Sequence, residues 1–255
     1  MAIPDSLRLG CVKYLNTLPL IHGWKGAVCF DHPSTLCQQL ATGELDVALA
    51  SSSEYLRNPI YSVVDRVAIA SDGPVFSVIL AHRGPLEQLR EVVVDPASET
   101  SVNLLRCLLG EQGLAPEFIS HGEINAERGL LLIGDQAIRF RQQSAGRDQF
   151  LDLGAEWKKA TGKPFVYGLW LIRPECAEML TVAQALRSLG QKNLENLDAL
   201  IAAQPESIRA FCEFYFRQCL RFTFGEEERE GFQIFGELCA KHKLLPAVPP
   251  APTLV

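Results

Sequence analysis

Three short apolar runs separated by helical segments fill the first fifty residues and constrain the fold more than any other feature of the chain. Residues 7–13 and 27–30 have the pattern of β-strands, and 46–50 forms a third run of the same kind. Residues 33–42 between them have a helical pattern, and Gly43 follows where a helix would end. This β-α-β-α-β order predicts a parallel sheet covered by helices.

A second β-α series begins near residue 90, so the sequence predicts two α/β lobes. The further predicted strands are 63–71, 75–81, 91–94, 117–120, 130–133 and 165–172, and a predicted helix covers 101–109. After residue 174 the pattern is helical over about 176–189, 193–203, 205–221 and 226–243, and an irregular tail follows over 246–255.

The two series predict two crossings between the lobes, near residues 82–90 and 170–175. Lobe 1 then comprises residues 1–84 plus 173–255, and lobe 2 comprises residues 85–172. The predicted fold class is α/β of the periplasmic-binding-protein type II, with C-terminal helices on lobe 1. Two lobes joined by two crossings form a hinged cleft that closes over a small ligand.

Composition and charge argue against several classes of partner. The net charge of −6 is unfavourable for nucleic acid, which needs a basic surface. The sequence has neither a secretory signal nor an apolar run of the roughly 18 residues that span a bilayer, which predicts a cytoplasmic protein without a membrane partner. The eight cysteines include no C-x-x-C pair, so we expect reduced, buried thiols and no metal site.

Four polar segments follow predicted strands, where ligands of parallel sheets bind. They are 14–17 (Tyr-Leu-Asn-Thr), 51–54 (Ser-Ser-Ser-Glu), 98–101 (Ser-Glu-Thr-Ser) and 134–135 (Gly-Asp). Hydroxyl and amide groups just before a helix hold a carboxylate well together with the free N–H groups of the first turn. The same residue types are also ordinary helix N-caps, so for each segment both interpretations stay open.

Other candidate features are less specific. The turn over residues 72–77 either reverses the chain or presents Ser77 to a ligand, and the sequence favours neither interpretation. The five histidines are scattered, and core packing is the default interpretation of Trp157 and Trp170. The chain contains no nucleophile elbow, no H-E-x-x-H motif and no phosphate-binding loop.

Five ordered motifs resemble those of the chorismate dehydratases of the futalosine route to menaquinone. They are LGCVKYLNTLPL (9–20), SDGPVFSV (71–78), SETSVNLLR (98–106), LIGDQAI (132–138) and DLGAEWKKATGKPFVYGLW (152–170). The resemblance extends over about residues 7–243, and Lys163 departs from it where an apolar residue is usual. A sister family that makes 1,4-dihydroxy-6-naphthoate opens with a Ser-Pro-Cys-Pro-Asn-Asp-like stretch, whereas this chain has Val-Lys-Tyr-Leu-Asn-Thr from Val12.

The resemblance implies a lyase that dehydrates chorismate to 3-[(1-carboxyvinyl)oxy]benzoate without a cofactor or metal. It implies Asn16 and Ser77 as catalytic residues. The predicted substrate-binding residues are Tyr14, Thr17, Ser52, Ser53, Gly73, Pro74, Val75, Ser98, Thr100, Ser101, Asp135 and Trp170. Two alternatives remain open, the sister naphthoate synthase and a non-catalytic protein that binds small anions, and the sequence leaves open whether the chain is a monomer or a dimer.

Overall fold

The computed structural model of the chain describes residues 6–95, 99–144 and 146–255. Within these residues the strands are β1 Leu9–Cys11, β2 Val28–Phe30, β3 Val47–Ser51, β4 Ser62–Ser71, β5 Val78–His82, β6 Glu91–Val93, β7 Glu117–Ile119, β8 Arg128–Ile133, β9 Gln149–Asp152, β10 Phe165–Ile172 and β11 Thr253–Leu254. The α-helices are α1 Leu18–Ile21, α2 Pro33–Thr42, α3 Ser52–Arg57, α4 Glu99–Glu111, α5 Gly134–Gln143, α6 Leu153–Thr161, α7 Met179–Glu195, α8 Leu197–Ala202, α9 Glu206–Phe214 and α10 Glu226–Lys241.

The first sheet has the strand order β11-β4-β10-β3-β1-β2 among the described residues. Strand β1 pairs in parallel with β2 and with β3, as the alternating pattern of the first fifty residues predicts. Strand β10 lies antiparallel between β3 and β4, and the short β11 pairs in parallel with β4 at the edge of the sheet. The side chains of β1 are fully buried, because the sheet is covered by helices.

The second sheet has the order β7-β6-β8-β5-β9. Strand β6 is parallel to β7 and β8, which is the second β-α series expected from the sequence. Strand β5 runs antiparallel to both β8 and β9 and is buried along its whole length. The two sheets with their helices form the two α/β lobes that the sequence predicts.

The sheet pairing moves both crossings away from their predicted positions. Strand β5, which precedes residue 84, belongs to the second sheet, and β10, which precedes residue 173, belongs to the first. The crossings therefore lie over residues 72–77 and 153–164 and not at 82–90 and 170–175. The physical reason is that β5 and β10 are both continuous apolar runs, and such a run does not reveal which of two sheets it joins.

The C-terminal helices pack mainly on the first sheet. Helix α7 packs against α1 and β4, and α10 packs against β10. Helix α10 also contacts α4 of the second lobe, where the sulfur atoms of Cys107 and Cys239 lie 3.9 Å apart. The helix predicted over 205–221 ends as an α-helix at Phe214 and continues as a π-helical turn over Tyr215–Cys219.

Among the described residues, no helix combines the length and the apolar character needed to cross a bilayer.

Candidate functional site

A cleft opens between the two sheets at the carboxyl ends of β1, β3 and β8. Its empty volume, which includes the open solvent at its mouth, is about 680 Å³. The described residues that line it are Val12, Tyr14, Asn16, Pro33, Leu49, Ala50, Ser51, Ile69, Val75, Ser77, Val78, Thr100, Ser101, Ile133, Gly134, Tyr167 and Gly168.

The wall of the cleft is polar in places but carries no charged side chain among these lining residues. Two phenols contribute to it. Burial raises the pKa of Tyr14, and the charges of Asp95 and Asp135 raise it further. Burial also raises the pKa of Tyr167 well above its ordinary value, and Asp152 adds to the effect. Both phenols therefore stay protonated at neutral pH and act as hydrogen-bond donors.

Asn16 and Ser77, the two predicted catalytic residues, line this same cleft from different elements. Asn16 lies in a single 3-10 turn over Leu15–Thr17 that follows β1, and Ser77 directly precedes β5. The Ser77 side chain is buried, and its Oγ accepts a hydrogen bond of 2.6 Å from the hydroxyl of Tyr215. The Oδ1 atom of Asn16 is buried and has no partner among the described residues.

The loop over residues 72–77 is held by a carboxylate that lies far away in the sequence. Oδ1 of Asp152 accepts the N–H of Val75 at 3.0 Å, and Oδ2 accepts the N–H of Phe76 at 2.8 Å. Asp152 also caps α6, and Arg141 contacts its Oδ2 at 3.3 Å. Phe76 has a φ of 66°, which is strained for an aromatic residue, so the loop needs these bonds to keep its shape.

Gly134 allows the end of β8 to approach Tyr14 closely. Its φ is +54°, and a Cβ atom added there would lie 3.2 Å from the ring of Tyr14. The N–H of Gly134 donates to the carbonyl of Ser77 at 2.8 Å, and the carboxylate of Asp135 accepts the N–H of Leu15 at 3.2 Å. This junction therefore ties the second lobe to the segments that carry Asn16 and Ser77.

The hydroxyl of Thr100 joins the two lobes at the other wall of the cleft. Thr100 lies in the first turn of α4, and its Oγ1 accepts the N–H of Ser53 in α3 at 2.9 Å. It also lies within hydrogen-bonding distance of the hydroxyl of Ser51. Arg57 of α3 pairs with Glu99 of α4 at 2.7 Å close by. Thr100 and Ser101 line the cleft, whereas the polar residues of α3 support it from behind.

Several predicted binding residues do not line the cleft because their polar groups are engaged elsewhere or face away from it. The hydroxyl of Thr17 donates to the carbonyl of Val12 at 2.9 Å, and that of Ser52 donates to the carbonyl of Val166 at 2.7 Å. Trp170 is fully buried in the core. The predicted binding residues outside the wall are Thr17, Ser52, Ser53, Gly73, Pro74, Asp135 and Trp170. Ser98 lies outside the described residues.

The structure adds three residues that the sequence interpretation did not select. Tyr167 lines the cleft, Tyr215 bonds Ser77, and Asp152 holds the loop before Ser77. Tyr167 is a polar residue within an apolar strand, which is a usable signal. Nothing in the local sequence links Tyr215 or Asp152 to Ser77, because these contacts span 138 residues and 76 to 77 residues of chain.

Two α/β sheets joined by two crossings, with an uncharged cleft between them, define a two-lobed fold of the periplasmic-binding-protein type. A solved structure of a protein from Archaeoglobus fulgidus has a similar fold, with a TM-score of 0.73 and 15% identity over 96% of this chain and 100% of that one. The periplasmic aliphatic sulphonate binding protein SsuA of Escherichia coli has a TM-score of 0.63 and 16% identity over 97% and 90% of the two chains.

The sequence comparisons define the family. The profile of the family described as menaquinone biosynthesis matches residues 7–241. A relative from Thermus thermophilus named chorismate dehydratase is 29% identical over 90% of this chain and 93% of its own length. The chain therefore belongs to the menaquinone biosynthesis family.

Proposed function

We propose that this protein is a chorismate dehydratase, which eliminates water from chorismate to give 3-[(1-carboxyvinyl)oxy]benzoate. The observation that carries the proposal is that Asn16 and Ser77 line one uncharged cleft between the two sheets together with Thr100 and Ser101. The Thermus thermophilus relative carries this name, and its similarity covers nearly the whole of both chains. A cytoplasmic location stays a prediction from the sequence.

The reaction breaks the C3–H and C4–O bonds of chorismate and releases one water, and the ring becomes aromatic. Aromatisation supplies the driving force, so the protein has to orient the ring and stabilise the charge that develops. Asn16 and Ser77 are placed to hydrogen-bond the leaving hydroxyl or this charge. The buried, unpartnered Oδ1 of Asn16 supports that role, because a buried polar atom without a partner is unfavourable unless a ligand completes it.

The two carboxylates of the substrate need donors, and the first turn of α4 offers them. Thr100 and Ser101 present hydroxyls and backbone N–H groups at a helix N-terminus, where the helix dipole favours an anion. Tyr14 and Tyr167 add protonated phenols on neighbouring parts of the wall. Neutral donors suffice for a carboxylate in a cleft of this kind, as in other anion sites built on helix ends.

The base that removes the C3 proton is proposed to be the enolpyruvyl carboxylate of the substrate itself. The described residues that line the cleft include no carboxylate and no histidine. The two phenols are not available as bases, because burial raises the pKa of each and keeps it protonated at neutral pH. A substrate carboxylate that is freed from water in the cleft is the group with a suitable basicity.

The test is to incubate the purified protein with chorismate and to follow the ultraviolet spectrum and the mass of the product. We expect a benzoate-type spectrum and a product lighter than chorismate by one water. Asn16→Ala and Ser77→Ala should each reduce kcat by ~10²-fold or more in a protein that still folds, because each removes one positioned group. Ser188→Ala on helix α7 is the matched control and should retain full activity.

Two results would contradict the proposal. Chorismate that is bound but not consumed would favour a non-catalytic binding protein. Full turnover by both Asn16→Ala and Ser77→Ala would refute the roles assigned to these two side chains while leaving the activity itself in place.

A further inference from the structure

Tyr215 lies in the C-terminal helical region and contacts Ser77, which lines the cleft. It is the first residue of the π-helical turn over Tyr215–Cys219 that follows α9, and only 1% of it is exposed. Phe211, one turn earlier, stacks on the Tyr215 ring at a centroid distance of 5.4 Å and an interplanar angle of 19°. Single π-helical turns are rare and are frequent at functional sites.

The hydrogen bond between Tyr215 and Ser77 fixes which of the two hydroxyls donates. A phenol has a single proton, and here it is donated to Oγ of Ser77 over 2.6 Å. The proton of the Ser77 hydroxyl must then point to a different acceptor. Ser77 lines the cleft, and the nearby Oδ1 of Asn16 has no partner among the described residues, so this proton is available to a ligand in the cleft.

We propose that Tyr215 is a positioning residue that holds Ser77 as a hydrogen-bond donor toward the substrate. The proposal deepens the dehydratase function above and rests on it. The donated proton of Ser77 would meet the leaving hydroxyl or the charge that forms during its departure. Without Tyr215, the Ser77 hydroxyl is free to rotate and to turn its lone pairs toward the same oxygen.

Tyr215 acts by orientation and not as an acid that gives up its proton. Burial raises its pKa above the ordinary value, and this effect exceeds the opposing contributions of Ser77 and Asn16. The phenol therefore keeps its proton at neutral pH. A phenolate left behind at a site this deeply buried would be strongly unfavourable.

A double-mutant cycle with Ser77 tests this inference. Tyr215→Phe should lower kcat by ~10-fold or more and change KM by less than about threefold, because the oriented proton matters most in the transition state. In the Ser77→Ala background, the same substitution should change kcat by less than about twofold, since the group that it orients is gone. The pH profile of kcat should keep its shape, because the phenol that is removed stays protonated around neutral pH.

Tyr55→Phe is the matched control, since Tyr55 is buried and its hydroxyl donates to the carbonyl of Ala251 at 3.3 Å, away from the cleft. It should retain wild-type kcat, and the melting temperatures of all the variants show whether folding is affected. An equal loss of kcat from Tyr215→Phe with and without Ser77 would overturn the inference, as would no loss in either background. If the wild-type protein does not consume chorismate, the proposed function itself fails, which the first measurement reveals separately.

Discussion

Asp152 is the residue on which the shape of the loop over residues 72–77 depends most directly. One carboxylate caps α6, accepts two N–H groups of the loop over residues 72–77 and contacts Arg141. The strained φ of Phe76 is maintained by these bonds, and the guanidinium of Arg141 lies 4.3 Å from the centre of the Phe76 ring. Ser77 follows immediately, so its position depends on a residue that does not line the cleft.

We expect Asp152→Asn to reduce activity although the side chain keeps its size. In the variant, the NH₂ group of Asn would face a backbone N–H of the loop, and two donors cannot form a hydrogen bond. The loss of this hydrogen bond should lower the free energy of unfolding by ~1–3 kcal/mol. The displaced loop moves Ser77, so kcat should fall more than KM rises. Urea unfolding and steady-state kinetics measure both effects. Asp65→Asn, whose carboxylate accepts the N–H of Arg66 at 2.9 Å, is the matched control and should leave kcat unchanged.

Helix α3 contains a buried carboxylate, that of Glu54, whose charged form is unfavourable. The Glu54 side chain is 1% exposed, accepts the Tyr61 hydroxyl at 2.9 Å and pairs with Arg57. Burial raises the pKa of Glu54, whereas Tyr61 and Arg57 lower it. The effect of burial is the larger one, so the pKa lies above its ordinary value. The folded state therefore binds the proton more tightly than the unfolded chain does. The free energy of unfolding consequently falls as the pH rises from the ordinary value of 4.5 through the raised pKa.

Glu54→Gln should remove this pH dependence. The melting temperature of the variant minus that of the wild type should increase from about pH 4.5 to about pH 7, by on the order of a few degrees. Differential scanning calorimetry at a series of pH values measures the difference. Glu213→Gln at a half-exposed helical position controls for the loss of a carboxylate in general. A constant difference across the series would contradict the raised pKa.

Local sequence patterns predict the strands and helices of this chain better than they predict the contacts between distant segments. The parallel arrangement of β1, β2 and β3 follows from alternation of apolar runs with helices, and the structure confirms it. The start of β5 was predicted at residue 75 but lies at Val78, because Asp152 holds residues 75 and 76 in a loop. The predicted helix over 205–221 changes to a π-helical turn where Tyr215 meets Ser77. Both differences arise from contacts between residues distant in sequence.

Contacts between distant residues also limit what the sequence predicts about the cleft. Asn16 follows β1, and Thr100 and Ser101 begin α4, so their sequence positions place them near the cavity, whereas Ser77 lies in a turn whose role the sequence left open. Ser52 and Ser53 directly follow Ser51, which lines the cleft, yet both are buried and neither lines it. A motif predicts that a segment is near the site, and only packing decides which of its side chains enters it.

At the scale of the whole molecule, α10 connects the lobes in addition to the two crossings. It packs on β10 of the first sheet and on α4 of the second lobe. Cys107 of α4 and Cys239 of α10 are fully buried at this contact, and Lys241 and His242 pair with Glu111 at its edge. Opening the cleft by rotating one lobe would strain this contact, so the exposure of the two thiols reports on the opening.

We therefore expect a ligand that bridges the lobes to protect both thiols from alkylation. The contact with Cys107, together with burial, raises the pKa of Cys239, so its thiol reacts only when the contact opens. A ligand at about 100 times its Kd should slow labelling of Cys107 and Cys239 by up to ~100-fold, since it binds the closed form. Cys29 is exposed and serves as the internal control, with an unchanged rate. Peptide mass spectrometry after iodoacetamide, with and without the benzoate product, measures all three. Equal labelling rates of Cys107 and Cys239 with and without the product would contradict the prediction, because α10 would then keep its contact with α4 while the cleft opens.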